Sequence, residues 1–302
     1  MQTQKEFKHF VITRMNVDWQ ISRPRSDRND PKFLSRRFAL FEQICLPSVK
    51  AQNNKDFVWL MLLDAALPAQ FKEKVEKYRS IVQLVPIYIE SRETLLDSVR
   101  RVVKEHTDGE CSYLITTSLD SDDAISKDFL QLVQAQFRQQ EFEFVNFLFG
   151  YLYRTNEQKL YLREWLTSPF HSLIESYNDD FKTVLEYGHT QVNKHNNCQI
   201  VAEPLWLMVA HGNNVRTNFD VSAAWQPINR LGSNFAVDLD FPKSSKLKVF
   251  KRMAAEIYSV LRSKKEWDTP KVKIRKISNI ISPSAVRVLR RIKFNVSNQA
   301  YR

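Results

Sequence analysis

Along the first half of the chain, short apolar runs alternate with amphipathic stretches. His9–Thr13, Phe57–Leu63, Ile81–Ile89 and Tyr113–Leu119 are short and rich in β-branched and aromatic residues, a pattern that predicts strands buried on both faces. The intervening segments repeat at helical spacing. Phe33–Gln52 places Phe33, Phe38, Phe41, Ile44 and Cys45 near one stripe, Pro68–Tyr78 opens with proline in its first turn, and Arg92–His106 continues the theme. Strand and helix alternating through short connections predict an α/β fold, an open and mostly parallel sheet with a Rossmann-like nucleotide-binding half. Ligands of such sheets bind at the carboxyl ends of the strands.

The pattern then changes. A helix is expected over Ser126–Gln140, followed by two aromatic-rich strands, Phe142–Tyr153 and Gln158–Arg163, joined as an antiparallel hairpin across Thr155–Glu157. Parallel winding is expected to stop there. Polar Tyr187–Gln199 precedes the apolar segment Pro204–Ala210, and Asn213–Asn234 is polar and irregular enough for an active-site loop. Lys246–Arg262 spaces Leu247, Phe250, Ala254, Ile257 and Leu261 as an amphipathic helix with a basic polar side, and Ser284–Lys293 is a second, shorter one. The division expected is a catalytic unit over 1–242 and a basic helical C-terminal tail over 243–302.

Composition narrows the class. With 302 residues, 43% hydrophobic and 12% aromatic, the chain can bury a large core. Cys45, Cys111 and Cys198 are odd in number and far apart, which points away from a disulfide framework and a cysteine zinc site and towards a reducing compartment. The polar start, MQTQKEFKHF, has no apolar core for a signal peptide, and no run approaches the roughly 18 apolar residues of a membrane span. The net charge of +11 is uneven: residues 243–302 carry 17 Lys and Arg against 3 Asp and Glu, leaving −3 on residues 1–242. A nucleic-acid enzyme concentrates positive charge around its groove, so this distribution favours a surface-docking tail and no nucleic-acid partner.

Tyr113–Ala124 carries the chemistry. An apolar strand runs straight into Asp120-Ser121-Asp122-Asp123, placing acids where ligands are expected. In extended backbone Asp120 and Asp122 share one side while Asp123 faces elsewhere or caps the next helix. Paired carboxylates plus substrate phosphates hold Mg²⁺ or Mn²⁺, which makes a nucleoside diphosphate a natural partner. The competing reading is a surface turn capping a helix.

This Asp-x-Asp after a buried strand resembles the metal and sugar-nucleotide motif of GT-A glycosyltransferases. The ordered blocks FVITRMN (Phe10–Asn16), LPSVKAQ (Leu46–Gln52), FVWLMLLD (Phe57–Asp64), TTSLDSDDA (Thr116–Ala124), SPFHSLIE (Ser168–Glu175) and PLWLMVAHGNN (Pro204–Asn214) are similar to a bacterial family known as putative rhamnosyltransferases. The resemblance spans most of residues 9–215. It implies a GT-A-like fold and a DXD-dependent hexosyltransferase that uses a nucleotide-sugar donor of UDP, dTDP or GDP type. The acceptor implied is saccharide or lipid-linked, in bacterial surface-polysaccharide or glycolipid synthesis. It also implies Mn²⁺ or Mg²⁺ held by Asp122, with Asp120 on metal or ribose and His211 as a late histidine contact. Arg14 and Asn16 would face the nucleotide, and Asp64 the ribose or base. Glu175, then Glu164, are the candidates for the base that activates the acceptor.

Other features bear on this reading. Trp19 with Arg23, Arg25 and Arg28 suggests a lid over phosphates, and Trp206 is expected to be packing more than a sugar platform. The spacing of His189 and His195 fits no common metal motif. The basic helices of 246–293 suit an anionic membrane surface, which would place the protein peripherally on the cytoplasmic face. Two alternatives remain: a nucleotidyltransferase acting on sugar phosphates, and a nucleic-acid-binding protein using its basic tail. A haloacid-dehalogenase-type phosphotransferase would need Thr or Val where Ala124 stands.

Overall fold

The computed structural model describes residues 6–17, 27–90, 95–107, 111–212, 223–242 and 245–300, with side chains described as far as 294. Strands β1 (Phe7–Arg14), β2 (Val58–Asp64), β3 (Leu84–Ile89) and β4 (Tyr113–Ser118) alternate with helices α1 (Pro31–Leu40), α2 (Leu46–Lys50), α3 (Ala69–Arg79) and α4 (Leu95–Thr107). Then follow β5 (Ala124–Ile125), α5 (Phe129–Gln134), β6 (Phe142–Phe147), β7 (Phe149–Arg154), β8 (Lys159–Glu164), β9 (Ser172–Ser176), β10 (Asn197–Ile200), β11 (Trp206–Ala210) and β12 (Ala224–Gln226). Helices α6 (Lys246–Arg262), α7 (Pro270–Ile281) and α8 (Pro283–Ala300) complete the order.

The larger sheet runs β10-β6-β9-β4-β1-β2-β3. Its β3-β2-β1-β4 half is parallel, and β9 lies antiparallel between β4 and β6. This is the expected α/β arrangement, with both faces covered. Alternate side chains of β1 and β2 divide between two cores: Val11, Trp59, Met61 and Leu63 pack with α1, α2 and α3, whereas Phe10, Ile12, Leu60 and Leu62 pack with α4. All four strands point the same way, so Arg14, Asp64 and the residues after Ser118 emerge at one edge.

Asp30 starts α1 by accepting from the backbone N–H groups of Lys32 and Phe33, with Pro31 in the first turn. The helix continues as a π-helical turn, Phe41–Cys45, into α2. The extra residue per turn sends Phe41 and Cys45 into the main core and Ile44 into that of the second sheet. Thus the single stripe expected over Phe33–Gln52 serves two cores.

A second sheet, β12-β8-β7-β11-β5, lies beside the first. The expected strand Phe142–Tyr153 is two strands in different sheets, because the chain crosses over at Leu148, whose N–H bonds Ile200 O and whose carbonyl accepts from Trp165 N. The hairpin is β7–β8, as predicted, but parallel pairing does not stop there: β10 pairs parallel with β6 and β11 with β7. Helix α5 is much shorter than Ser126–Gln140, since the following residues turn and Gln139 adopts φ 62°. Asp123 caps no helix; the strand β5 follows it. The tail holds α7, which the sequence pattern did not reveal. No helix among the described residues is long and apolar enough to cross a membrane.

Trp206 is core, as expected. Its ring is fully buried, stacks on Phe170 at 5.1 Å, and donates from Nε1 to Phe147 O at 2.8 Å. Gly150 makes room for it, because a Cβ there would lie 1.9 Å from Trp206 Cδ2. Gly150→Ala is therefore expected to destabilise the protein by about 3 kcal/mol, read as a lower urea midpoint with an unchanged slope.

A polar chain crosses the sheet. His9 Nε2 lies 2.8 Å from Thr117 Oγ1, which lies 2.7 Å from Ser172 Oγ, and Gln134 Nε2 lies 3.2 Å from His9 Nδ1. Burial lowers the His9 pKa to about 3. A depressed histidine leaves the unfolded state binding more protons below its ordinary pKa, so stability falls as pH drops from about 6.5 towards 3. Comparing His9→Gln with the parent at pH 6.5 and 4.5, unfolding free energies should show an acid loss smaller by about 2 kcal/mol in the variant.

Candidate active site

Leu119 N bonds Ile12 O and Ser118 N bonds His171 O, extending the β4 pairings by one step on each side before the chain turns. Asp123 N returns to Asp120 O at 3.2 Å, closing a turn over Asp120–Asp123. The acids are therefore on a turn, not the extended backbone expected. Alternation survives all the same: Ser121 and Asp123 are buried, Asp120 and Asp122 part-exposed.

Each carboxylate has a different environment. Asp120 Oδ1 accepts from Arg14 Nη2 at 2.9 Å, joining the ends of β1 and β4. Asp122 Oδ2 lies 3.0 Å from His211 Nε2, just past β11. Burial pushes the Asp122 carboxyl up, but the His211 hydrogen bond and the Arg37 guanidinium outweigh it and hold it below the usual carboxylate range. Asp123 is 4% exposed and accepts from Val209 N at 2.9 Å. Burial raises its pKa well above the ordinary value, and the negative neighbours Asp122 and Asp120 push the same way. It belongs to the scaffold, tying the turn to β11.

Asn16 and Asp64 meet at the ends of β1 and β2. Asn16 Oδ1 accepts from Asp64 N at 3.0 Å, its Nδ2 donates to Asn29 Oδ1 at 2.8 Å, and Arg28 Nε lies 2.8 Å from Asp64 Oδ2. So Arg14, Asn16, Asp64, Asp120, Asp122 and His211 gather along the carboxyl ends of the strands, as expected. Asp120, Asp122 and His211 are not one three-ligand cluster, and among the described residues no such group of three is found. Asp122 pairs with His211, while Asp120 is engaged by Arg14.

The two glutamates lie elsewhere. Glu175 on β9 is opposite Leu114, near the start of β4, and so about 20 Å along the strand from the acidic turn at ~3.3 Å per residue. It accepts from Lys182 N and Thr183 N at 2.8 Å each, with burial raising its pKa, and it lines a separate cavity of 340 Å³. Glu164 ends β8 at the edge of its sheet away from His211, with Arg290 Nε of α8 at 3.0 Å from Oε1. Antiparallel pairing carries both from the acidic turn, which removes them as acceptor bases. Trp19, Arg23 and Arg25 of the expected lid, and residues 213–222 of the expected loop with Asn214 among them, lie outside the described residues.

Sequence reasoning missed three neighbours of the turn. Arg37 on α1 donates to Met15 O and acts electrostatically on Asp122 and Asp123. Cys45 is fully buried, its thiol pushed up by burial and then by Asp123, Asp122 and Asp120. Arg37, Phe41 and Cys45 recur every fourth residue, and an arginine on an otherwise apolar stripe was the available signal. His171 is 3% exposed, with Nδ1 3.0 Å from Ser168 O and Nε2 without a hydrogen-bond partner; burial lowers its pKa to about 4. A larger cavity, 660 Å³, opens beside the β7–β8 hairpin, lined by Glu157, Lys159, Trp225, Gln226, Phe235 and Arg252. The hairpin links it to the site, since Thr155 N and Oγ1 both reach Ala210 O, next to His211.

The family model described as "Putative rhamnosyl transferase" matches residues 14–222. The chain belongs to that family. Rhamnosyl transfer is one case of glycosyl transfer, and the family is one of glycosyltransferases. No curated protein matches the sequence. Among solved structures, S. aureus TarS 1–349 is 13% identical with a TM-score of 0.39, covering 91% of this chain and 72% of that one. TarS 1–349 in complex with UDP-GlcNAc is 12% identical at 0.40, covering 91% and 71%. The inositol-1-phosphate CTP transferase from T. maritima is 12% identical at 0.28, covering 78% and 93%.

Asp123→Ala leaves the buried Val209 N–H without its acceptor and should cost about 1–3 kcal/mol, while Asp123→Asn keeps an acceptor oxygen and should cost less. Chemical unfolding of both variants checks this ordering.

Proposed function

We propose that this glycosyltransferase is metal-dependent. In this reading it moves a sugar from a nucleoside-diphosphate donor of UDP, dTDP or GDP type onto a saccharide or lipid-linked acceptor of bacterial surface polysaccharide. The observation that carries the reading is the Asp122–His211 pair, 3.0 Å apart, beside the Arg14–Asp120 pair where the parallel strands end.

The donor set fits the cation. A carboxylate oxygen and an imidazole nitrogen suit Mn²⁺ or Mg²⁺ when phosphate oxygens and water complete the shell. Asp122 and His211 would hold it, and it would supply Lewis-acid stabilisation of the departing diphosphate. Arg37 and His211 keep Asp122 ionised, the state a ligand needs. Arg14 is the choice for a donor phosphate; the Asp120 pair orients it, so its guanidinium would be in place before the donor arrives. Asn16 and Asp64, already ordered by each other and by Arg28, are the choice for ribose or base. The cavity behind the hairpin, with Trp225 for a sugar face and Lys159, Gln226 and Arg252 for hydroxyls, is the choice for the acceptor.

Thermal melting with UDP, dTDP, GDP and CMP, each with and without Mn²⁺, tests the reading. One nucleoside diphosphate should raise Tm by about 5 °C near saturation, only with metal, and Asp122→Asn and His211→Ala should abolish the shift. An equal response in Asp122→Asn, or none from any nucleotide, sinks it.

A further inference from the structure

Helices α6 and α7 pack on each other and on β12, and α8 packs on α7 and β10, yet much of their apolar surface faces solvent. At ~100° per residue, α6 divides into three stripes. Val249, Met253, Ile257 and Val260 turn towards the core around Trp225 and Ile280. Beside them, within about 80° of the helix circumference, run Leu247, Phe250, Ala254, Tyr258 and Leu261. Their large members are 64%, 63%, 57% and 57% exposed. Lys251, Arg262, Lys248 and Arg252 follow on the far side. A helix with one apolar face packs on its protein; the second apolar stripe on α6 has no such role.

The other two helices repeat the pattern. Ile274 and Ile281 of α7, two turns apart, are 66% and 58% exposed, and Val288, Leu289 and Ile292 of α8 are 55%, 68% and 59% exposed between Arg291 and Lys293. Charge chooses the occupant. Residues 243–302 carry +14 while the remainder carries −3. A second copy seated on this face would oppose like charges, and a nucleic acid would take the cations but leave the aliphatic side chains wet. An anionic bilayer takes both, with acyl chains receiving the leucine, isoleucine and phenylalanine side chains and headgroups the lysines and arginines.

We propose that the exposed apolar stripes of α6, α7 and α8, with their flanking basic residues, form a docking surface for an anionic lipid bilayer. The surface is independent of the nucleotide site, so the two proposals stand or fall separately.

Flotation of the full-length protein with vesicles of phosphatidylcholine alone, or with 30% phosphatidylglycerol, tests the proposal. The expected result is flotation with the anionic vesicles only. It should fall at least tenfold in Leu247→Ser/Phe250→Ser/Leu261→Ser and in Lys248→Glu/Lys251→Glu, variants confined to exposed positions whose melting temperatures should match the parent. Equal flotation with neutral vesicles, undiminished flotation of the serine variant, or none at all would overturn it. So would a dimer in sedimentation that the serine variant abolishes, or duplex DNA displacing the vesicles at equal charge.

Discussion

The Asp123 carboxyl and the Val209 amide form the joint on which the site depends. This buried hydrogen bond fastens the turn after β4, at the edge of the large sheet, to β11 of the small one. Because Asp123 is sequestered, the backbone on either side is fixed, and Asp122 and Asp120 are presented outward to partners on different strands. A buried carboxyl near two other acids is costly as an anion. Its raised pKa is the expression of that cost, and the amide donor is what makes the placement tolerable.

The surrounding segments brace the same turn. Ser48 Oγ faces Ile125 N, and Gln52 donates to Ser126 O while accepting from Leu130 N, so α2 and Gln52, two residues past its end, grip the chain just past the acids. Phe170 stacks on Trp206, and His171 O receives Ser118 N. Each block that resembles the family contributes a contact to this region or to the strands beneath it. The order of blocks along the chain thus becomes a shell around one turn.

The molecule joins two surfaces of opposite character. The strand-end site is a set of carboxylates balanced by Arg14, Arg28 and Arg37, and the tail is an excess of cations interleaved with exposed apolar side chains. The excess cations thus sit on a separate helical layer, apart from the acidic turn.

The sequence by itself determined the parallel half, because β1 to β4 and their helices are local periodic patterns whose carboxyl ends share an edge. It therefore placed Arg14, Asn16, Asp64, Asp120 and Asp122 together, and the family blocks added His211. Tertiary structure alone decided the strand switch at Leu148, the π-helical turn, and the removal of Glu164 and Glu175 from the site. Those outcomes depend on which strand pairs with which and in what direction, and a carboxylate at a strand end carries no mark of that in its neighbours. Nor could spacing show that Asp120 faces Arg14 while Asp122 faces His211. Those partners lie 106 and 89 residues away, brought to them only when both sheets close around the turn.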